Sequence, residues 1–185
     1  VRSFIVVWAR SIESQCMEGS VRNAPGCGVT VKEYGHILQD DPSYADKAQR
    51  VSDLTKDLSE LLPDLVGALK SKEKEKKAQA VTFHPPCTLQ HGQQLRGGVE
   101  KHLGELGFNI NTASCEAHLC CGSAGTYSVL QADLAYQLRD RKLGHISAMN
   151  PDVIVSANIG CITHLQSGTA TPVKHWVELL DEALS

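Results

Sequence analysis

The sequence has no excess of basic residues, no long apolar run and no phosphate-binding glycine loop. Its 18 Lys and Arg residues are outnumbered by 21 Asp and Glu residues, which gives a formal net charge of -3. The chain therefore offers no basic face for a phosphate backbone, and nucleic acid is not an expected partner. The best apolar run, FIVVWA at 4–9, ends at Arg10 and is far shorter than the roughly 20 residues of a membrane helix. The glycine pair in LRGGVE is not followed by Gly-Lys-Ser/Thr, which excludes a phosphate loop.

The sequence also lacks a secretory leader. It begins with Val1, and VRSFIVVWAR does not have the basic, apolar, small order of a signal peptide, so we expect the natural start to lie upstream. The seven cysteines, an odd number with Cys120 and Cys121 adjacent, fit a disulfide framework poorly. We therefore expect a soluble, cytoplasmic chain in a reducing compartment, with cysteines that act as thiolates.

Apolar periodicity predicts one long helix followed by an α/β unit. Over residues 40–70 Ala, Val and Leu recur at three- and four-residue steps, which predicts an amphipathic helix capped by Asp40 or Asp41 and interrupted at Pro63. The charged stretch 70–79 is interpreted as a solvated connector. Beyond it, short apolar runs alternate with longer periodic segments, which predicts a parallel sheet with helices packed on it. The predicted strands are 80–84, 107–113 and 152–158, and the predicted helices are 88–107, 125–149 and 173–184.

Four cysteines follow the three predicted strands. They are Cys87 after the first strand, Cys120 and Cys121 after the second, and Cys161 after the third. Because the loops after parallel strands share one edge of a sheet, we expect these thiols to converge in one crevice. Each cysteine also precedes a predicted helix, whose free N–H groups and dipole favour a negative sulfur.

The immediate neighbours of these cysteines favour a polynuclear cluster. Adjacent side chains point apart, so the two vicinal thiolates reach different iron atoms of one cluster more easily than they chelate a single tetrahedral zinc. Gly122, Gly125 and Gly160 remove side chains beside the sulfurs, so backbone N–H groups can approach a cluster and donate to its sulfides. The alternative is a structural zinc module. Its ligands are Cys87, Cys120 or Cys121, Cys161 and His164.

The order of three segments, HPPC at 84–87, HLCCGSAGTY at 118–127 and NIGCITH at 158–164, resembles the cysteine-rich CCG domain. That pattern is a Cys, a distant Cys-Cys-Gly and a distant Cys-x-x-Cys. Longer blocks, among them GCGVTVKEYGHILQDDPSYADKAQRVSDL, make residues 24–184 similar to the C-terminal part of iron-sulfur subunits of the bacterial glycolate oxidase family. The resemblance implies a Rossmann-like α/β domain with its four cysteines on an iron-sulfur cluster, [4Fe-4S] in type.

The resemblance also implies a domain organisation and partners. Residues 1–78 would be the tail of a first CCG repeat with a connecting helix and a charged linker, and residues 79–185 a complete second repeat. A separate flavin subunit would take two electrons from glycolate, and iron-sulfur centres would pass them singly toward a membrane quinone. The chain would then be a cytoplasmic electron-transfer component, or peripheral on the inner membrane. No catalytic residue is expected in it, and it would not oxidise glycolate alone.

The sequence departs from the CCG pattern at its last position. The heterodisulfide reductase pattern ends in Cys-x-x-Cys, whereas this chain has Cys161-Ile162-Thr163-His164, so an imidazole replaces the fifth thiolate. His164 is therefore predicted either to ligate the metal centre or to form a hydrogen bond beside it. The sequence does not decide between a cubane and a noncubane cluster. Thiol or disulfide reduction at an open iron is the enzymatic alternative, and His164 argues against it.

The other cysteines and histidines receive structural interpretations. His84 is interpreted as the end of its strand, with a hydrogen bond beside the site as the alternative. Cys27, in the PGCG segment, is implied by the resemblance to be a ligand of the first repeat. Cys16 and Cys115 match no motif position and are interpreted as ordinary thiols.

Overall fold

The computed structural model describes residues 1–14, 18–71 and 79–185. They form two compact units, Val1–Leu61 and Leu62–Ser185. Cys16 and most of the charged stretch 70–79 lie outside the described residues, so their interpretations stay predictions. Within the described ranges no helix is both long enough and apolar enough to cross a bilayer.

The first unit packs helices beside a short parallel strand pair. Apolar side chains from all four of its described helices form the core, namely Ile5, Ile12, Val31, Tyr34, Ala48 and Val51. The two strands pair in parallel with Ser20 opposite Thr55. The elements are α1 (Arg2–Glu13), β1 (Ser20–Arg22), α2 (Pro25–Lys32), α3 (Tyr34–Ile37), α4 (Ala45–Asp53) and β2 (Thr55–Asp57).

The single helix predicted over 40–70 is wrong. Helix α4 ends at Asp53, strand β2 follows, and a 3₁₀ turn at Leu58–Glu60 separates it from helix α5 (Leu62–Lys70). The buried Asp57 makes this break, because its carboxylate accepts the Ser59 N–H at 3.0 Å while Glu60 accepts the Asp57 N–H at 2.7 Å. Such a capping box satisfies backbone donors outside a continuous helix. Tyr44, rather than Asp40 or Asp41, precedes α4.

The second unit is a four-stranded parallel sheet with helices packed on it. The strand order is β4-β3-β5-β6 and each neighbouring pair is parallel. This arrangement confirms the predicted α/β class with a Rossmann-like fold. Beyond α5, the elements are β3 (Ala80–His84), α6 (Gly98–Glu105), β4 (Asn109–Thr112), α7 (Tyr127–Leu130), α8 (Ala132–Ser147), β5 (Val153–Ser156), α9 (Ile159–Gln166), β6 (Val173–His175) and α10 (Trp176–Leu184).

The core of the second unit lies around the central strands. All four residues of β5 are buried, as expected for a strand covered on both faces. Leu143 and Ile146 of α8 and Leu165 of α9 pack there in one cluster with Cys121 and Cys161. The candidate cysteines are thus continuous with the hydrophobic core.

Strand β6 was not foreseen, because residues 173–184 were predicted as one helix. The segment begins as a strand in which Val173 pairs with Ile154 of β5. Val173 is buried, and a β-branched side chain on a half-buried edge favours the extended backbone. His175 then caps α10 by accepting the Val177 N–H on Nδ1 at 3.2 Å.

Candidate metal centre

The four predicted cysteines lie at the carboxyl end of the second unit's sheet. Strand β3 has β4 on one side and β5 on the other, so the winding of the chain reverses at β3. Open parallel sheets bind ligands in the crevice that such a reversal leaves beyond the carboxyl ends of the strands. The segments that follow β3, β4 and β5 deliver Cys87, Cys120, Cys121 and Cys161 to this crevice.

Local structure fixes two of these cysteines directly. Cys87 stands immediately before a single π-helical turn, Thr88–Gly92, and follows two prolines that restrict the backbone. Cys161 is the third residue of α9, where unpaired N–H groups and the helix dipole favour negative charge. Asn158, at the N-cap of α9, donates from Nδ2 to the Cys161 sulfur at 3.7 Å.

A nitrogen and two sulfurs are close enough to share one ion. His84, Cys121 and Cys161 are all buried, and one candidate ligand atom from each lies within 4.8 Å of the other two. His84 is only 2% exposed, Cys121 1% and Cys161 3%. Of the two interpretations of His84, the end of its strand and a hydrogen bond beside the site, this proximity to two sulfurs favours the second. The sequence signal for it was the position of His84 at the carboxyl end of β3, three residues before Cys87.

The remaining two thiols join this group through sulfur–sulfur hydrogen bonds. Cys120 accepts from Cys121 and Cys87, which lowers the pKa of Cys120, while the same Cys87–Cys120 bond raises the pKa of Cys87. Cys161 likewise accepts from Cys121, and this bond lowers the pKa of Cys161 and raises that of Cys121. The four sulfurs therefore form one connected, mutually interacting set.

The glycine of the Cys-Cys-Gly segment is required by its surroundings. Gly122 has φ of 94°, and a Cβ built on it would meet the Ala135 carbonyl oxygen at 2.2 Å. Its N–H donates to the Cys120 sulfur at 3.3 Å. The tight packing against α8 thus brings a backbone donor to the Cys120 sulfur.

Gly160 and Gly125, the other two predicted glycines, are favoured for different reasons, one for space and the other for backbone conformation. A Cβ on Gly160 would meet the Ser123 hydroxyl oxygen at 2.8 Å, so this glycine lets α9 approach the Cys-Cys-Gly loop. Gly125 has φ of 55° with no heavy atom within 4 Å of a built Cβ. Its requirement is conformational, because a positive φ is strained for other residues.

His164 lies beside the loop but outside the three-residue group. Its Nε2 contacts the Ala135 carbonyl oxygen at 3.1 Å, and its ring stacks on Tyr136 with centroids 5.8 Å apart. Nε2 also lies 3.0 Å from where a Cβ on Gly122 would be. The ligand role of His164 stays a prediction, and the described contacts give the imidazole a packing role against α8.

Sequence reasoning missed a buried cation next to the site. Lys142 of α8 is 2% exposed, and its Nζ donates to the carbonyl oxygens of Glu116 and Ala117. Burial lowers the pKa of Lys142, and its electrostatic interactions with the nearby Cys121 and Glu116 offset this only in part. A signal was present, because Lys142 lies seven residues after Ala135 and four before Ile146, on the buried face of α8.

Two further described cysteines are not members of this set. Cys115 and Cys27 are exposed free thiols, and Cys27 belongs to α2 of the first unit.

The donor set suits a thiophilic metal centre. Four thiols and an imidazole are ligand types of zinc and of iron-sulfur clusters. Nε2 of His84 is buried without a hydrogen-bond partner among the described residues, although such atoms are normally satisfied. The residues present therefore fit a bound metal centre.

Fold and site together define an α/β domain with a cysteine-rich candidate metal centre, and the family comparison agrees. Residues 81–166 match the family model described as CCG, cysteine-rich domain. The chain therefore belongs to the CCG cysteine-rich domain family through this segment, as the motif resemblance predicted.

The chain is also similar to individual proteins whose names mention glycolate oxidase or lactate utilization. The chain is 48% identical over 183 residues to the glycolate oxidase iron-sulfur subunit of Escherichia coli K12, covering 99% of this chain and 44% of that protein. It is 32% identical over 167 residues to lactate utilization protein A of Bacillus licheniformis, covering 84% of this chain and 65% of that protein. A probable glycolate oxidase iron-sulfur subunit of Bacillus subtilis is 28% identical over 158 residues, covering 85% of this chain and 35% of that protein. The chain thus spans about one third to two thirds of the length of these relatives.

Proposed function

We propose that this chain is part of an iron-sulfur electron-transfer subunit of a glycolate oxidase-like complex. The observation that carries the proposal is the convergence of Cys87, Cys120, Cys121 and Cys161 from three loops at one crevice. The names of two relatives, each a glycolate oxidase iron-sulfur subunit, support the same assignment.

The four cysteines are the proposed ligands of a [4Fe-4S] cluster, and His164 is a predicted further ligand or neighbour. Such a cluster, when bound, accepts and releases one electron at a time. The chain's own residues provide its environment. Cys121 and Cys161 belong to the hydrophobic core, so the site is buried. Gly122 donates its N–H to the sulfur of Cys120. Lys142 donates to the Glu116 carbonyl oxygen in the loop before the two cysteines and places a positive charge near the sulfurs.

In the proposed complex, a flavin subunit removes two electrons and two protons from glycolate to give glyoxylate. The iron-sulfur subunit passes the electrons singly to a quinone, which takes up two protons to form the quinol. The complex would be cytoplasmic, with peripheral contact to the inner membrane. Residues 79–185 would form a complete CCG repeat and residues 1–78 the tail of another. The match at 81–166 lies inside the proposed complete repeat.

The test is a kinetic separation in the assembled complex with its flavin subunit. Cys121→Ser should abolish glycolate-dependent reduction of a soluble quinone while leaving flavin bleaching by glycolate intact. Cys115→Ser, an exposed thiol, is the matched control and should retain both. Parallel assays with lactate distinguish the substrate, because the proposal expects glycolate to be preferred. Quinone reduction at the wild-type rate in Cys121→Ser would refute an electron path through this site.

A structural zinc site is the second candidate, and one observation favours it. The 4.8 Å group of His84, Cys121 and Cys161 is compact enough for a single tetrahedral ion completed by a further thiolate. Zinc would make the domain a scaffold without redox function. Metal content therefore separates the two candidates.

A further inference from the structure

We propose that His84 supplies a nitrogen ligand to the metal centre, in addition to the four cysteines. This inference rests on the proposed function and names a ligand that the Cys-Cys-Gly pattern does not contain. It assigns the nitrogen to the residue at the end of β3 rather than to His164, which occupies the position of the family's last cysteine.

The backbone of His84 is fixed by the sheet. His84 pairs in register with Ser156 of β5, and the Ser156 hydroxyl donates to the His84 carbonyl oxygen at 2.9 Å. The residue thus sits on a rigid element, at the carboxyl edge where the cysteine loops meet. Rigid elements hold ligands more accurately than loops do.

The side chain of His84 is buried with an unused nitrogen. It is 2% exposed, and its Nε2 has no hydrogen-bond partner among the described residues. A ligand nitrogen lies within 4.8 Å of the sulfurs of both Cys121 and Cys161. The His84 side chain hydrogen-bonds to Cys161, which leaves Nε2 as its unpaired nitrogen among the described residues. A buried polar atom without a partner is costly unless something satisfies it, and a metal between these three residues would do so.

The other histidines near the sheet edge already have partners. Nε2 of His164 contacts the Ala135 carbonyl oxygen, and Nε2 of His175 contacts the Ala157 carbonyl oxygen at 3.1 Å while Nδ1 caps α10. Metal binding by His164 would sacrifice the contact to α8. Binding by His84 sacrifices no described hydrogen bond of Nε2.

A neutral nitrogen ligand has a consequence for the redox potential. A neutral imidazole as the fifth ligand leaves less negative charge on a cluster than a fifth thiolate would, and so gives it a higher reduction potential, as histidine ligands do in Rieske centres. His84→Cys should therefore give a centre with a lower potential than the wild type, while His84→Ala should lose the nitrogen signal.

The test is pulsed EPR on the full chain, prepared without oxygen, reconstituted with iron and sulfide and reduced with dithionite. Samples carry histidine labelled with ¹⁴N or ¹⁵N. The wild type should show a strongly coupled nitrogen that changes with the label, and this coupling should persist in His164→Ala and vanish in His84→Ala. His91→Ala, whose Nε2 contacts the His118 carbonyl oxygen, is the control and should keep the signal.

Several results would overturn the assignment. A cluster without histidine coupling in the wild type, or coupling lost in His164→Ala and kept in His84→Ala, removes His84 as a ligand while the proposed function stands. Failure to assemble any cluster in the wild type would refute the proposed function itself, and this inference with it. If His84→Ala does not fold, His84→Gln replaces it, and the wild-type and His164→Ala spectra still test the assignment.

Discussion

At the scale of single residues, the centre is a set of thiols that share protons. Cys120 and Cys161 accept hydrogen bonds, which lower the pKa of both, while Cys87 and Cys121 donate. A metal centre binds cysteines as thiolates, so metal uptake releases thiol protons and weakens as the pH falls. The protein offers backbone and side-chain donors to the sulfurs, from Gly122 and Asn158, that stabilise the charged form.

Serine replacements test the ligand set residue by residue. Cys87→Ser, Cys120→Ser, Cys121→Ser and Cys161→Ser should each lose most of the iron bound after reconstitution, because a hydroxyl is a poor ligand for iron in a cluster. Iron and sulfide per chain are the measurement. Cys115→Ser should bind as much iron as the wild type, and equal iron in all five variants would contradict the ligand assignment.

Lys142 should tune the potential of the centre. Lys142→Met keeps the length of the side chain but removes a buried positive charge beside the thiolates, so adding an electron becomes less favourable. We expect the midpoint potential to fall by about 30–60 mV, where ~60 mV is a tenfold change for one electron. A redox titration followed by EPR measures it.

The control for this titration is Lys101→Met. The Lys101 side chain is 68% exposed and pairs with Glu105, so solvent screens its charge and the potential should stay at the wild-type value. An unchanged or higher potential in Lys142→Met would show that the buried ammonium only holds the Glu116–Ala117 loop.

The sequence was sufficient to predict that the four cysteines converge, but not that His84 and Lys142 are buried beside them. Cys87, Cys120, Cys121 and Cys161 could be placed together because each follows a strand, and parallel strands bring such positions to one edge. The choice between His84 and His164 depends on which imidazole has a free nitrogen, and that is decided by contacts such as the one between His164 and Ala135. Lys142 was missed because a lysine on a helix is normally solvated.

At the scale of elements, periodicity found the parallel sheet but placed some boundaries wrongly. The predicted strand 80–84 coincides with β3, because a short, fully buried strand has a continuous apolar signal. The error at 40–70 arises from the local capping box of Asp57 and Glu60, whose Asp-x-x-Glu spacing ahead of an apolar run is a sequence signal for a helix start that was overlooked. The error at 173–175 arises from the pairing of Val173 with β5, a tertiary contact without a local sequence signature of comparable strength.

Because the Cys-Cys-Gly loop packs closely against α8, we expect two glycine replacements to change the stability of the protein in opposite directions. Gly122→Ala should destabilise the protein by about 1–3 kcal/mol from backbone strain alone, and further because the new methyl group overlaps the Ala135 carbonyl oxygen. Gly144→Ala, in the same helix α8 with open space around its Cβ, should stabilise by ~0.5–1 kcal/mol. Urea unfolding of both variants measures this difference, and equal stabilities would contradict the tight loop–helix packing.

At the scale of the whole molecule, all the proposed ligands belong to one compact unit. Residues Leu62–Ser185 form that unit, and it contains the four-stranded sheet together with the family match at 81–166. A chain reduced to residues 62–185 should therefore unfold cooperatively and bind as much iron as the full chain. Calorimetry and iron analysis test this, and Cys27→Ser in the full chain should leave the iron content unchanged. Loss of iron from the shortened chain would show that the first unit contributes to the site.

The central claim is that this crevice holds an iron-sulfur cluster, and metal content tests it most directly. The full chain is purified without oxygen, reconstituted with iron and sulfide, and analysed for iron, zinc and acid-labile sulfide alongside absorption and EPR spectra. We expect about four irons with matching sulfide per chain, a broad brown absorption and a cluster EPR signal. One colourless zinc per chain that persists through reconstitution would contradict it and leave the domain a structural module.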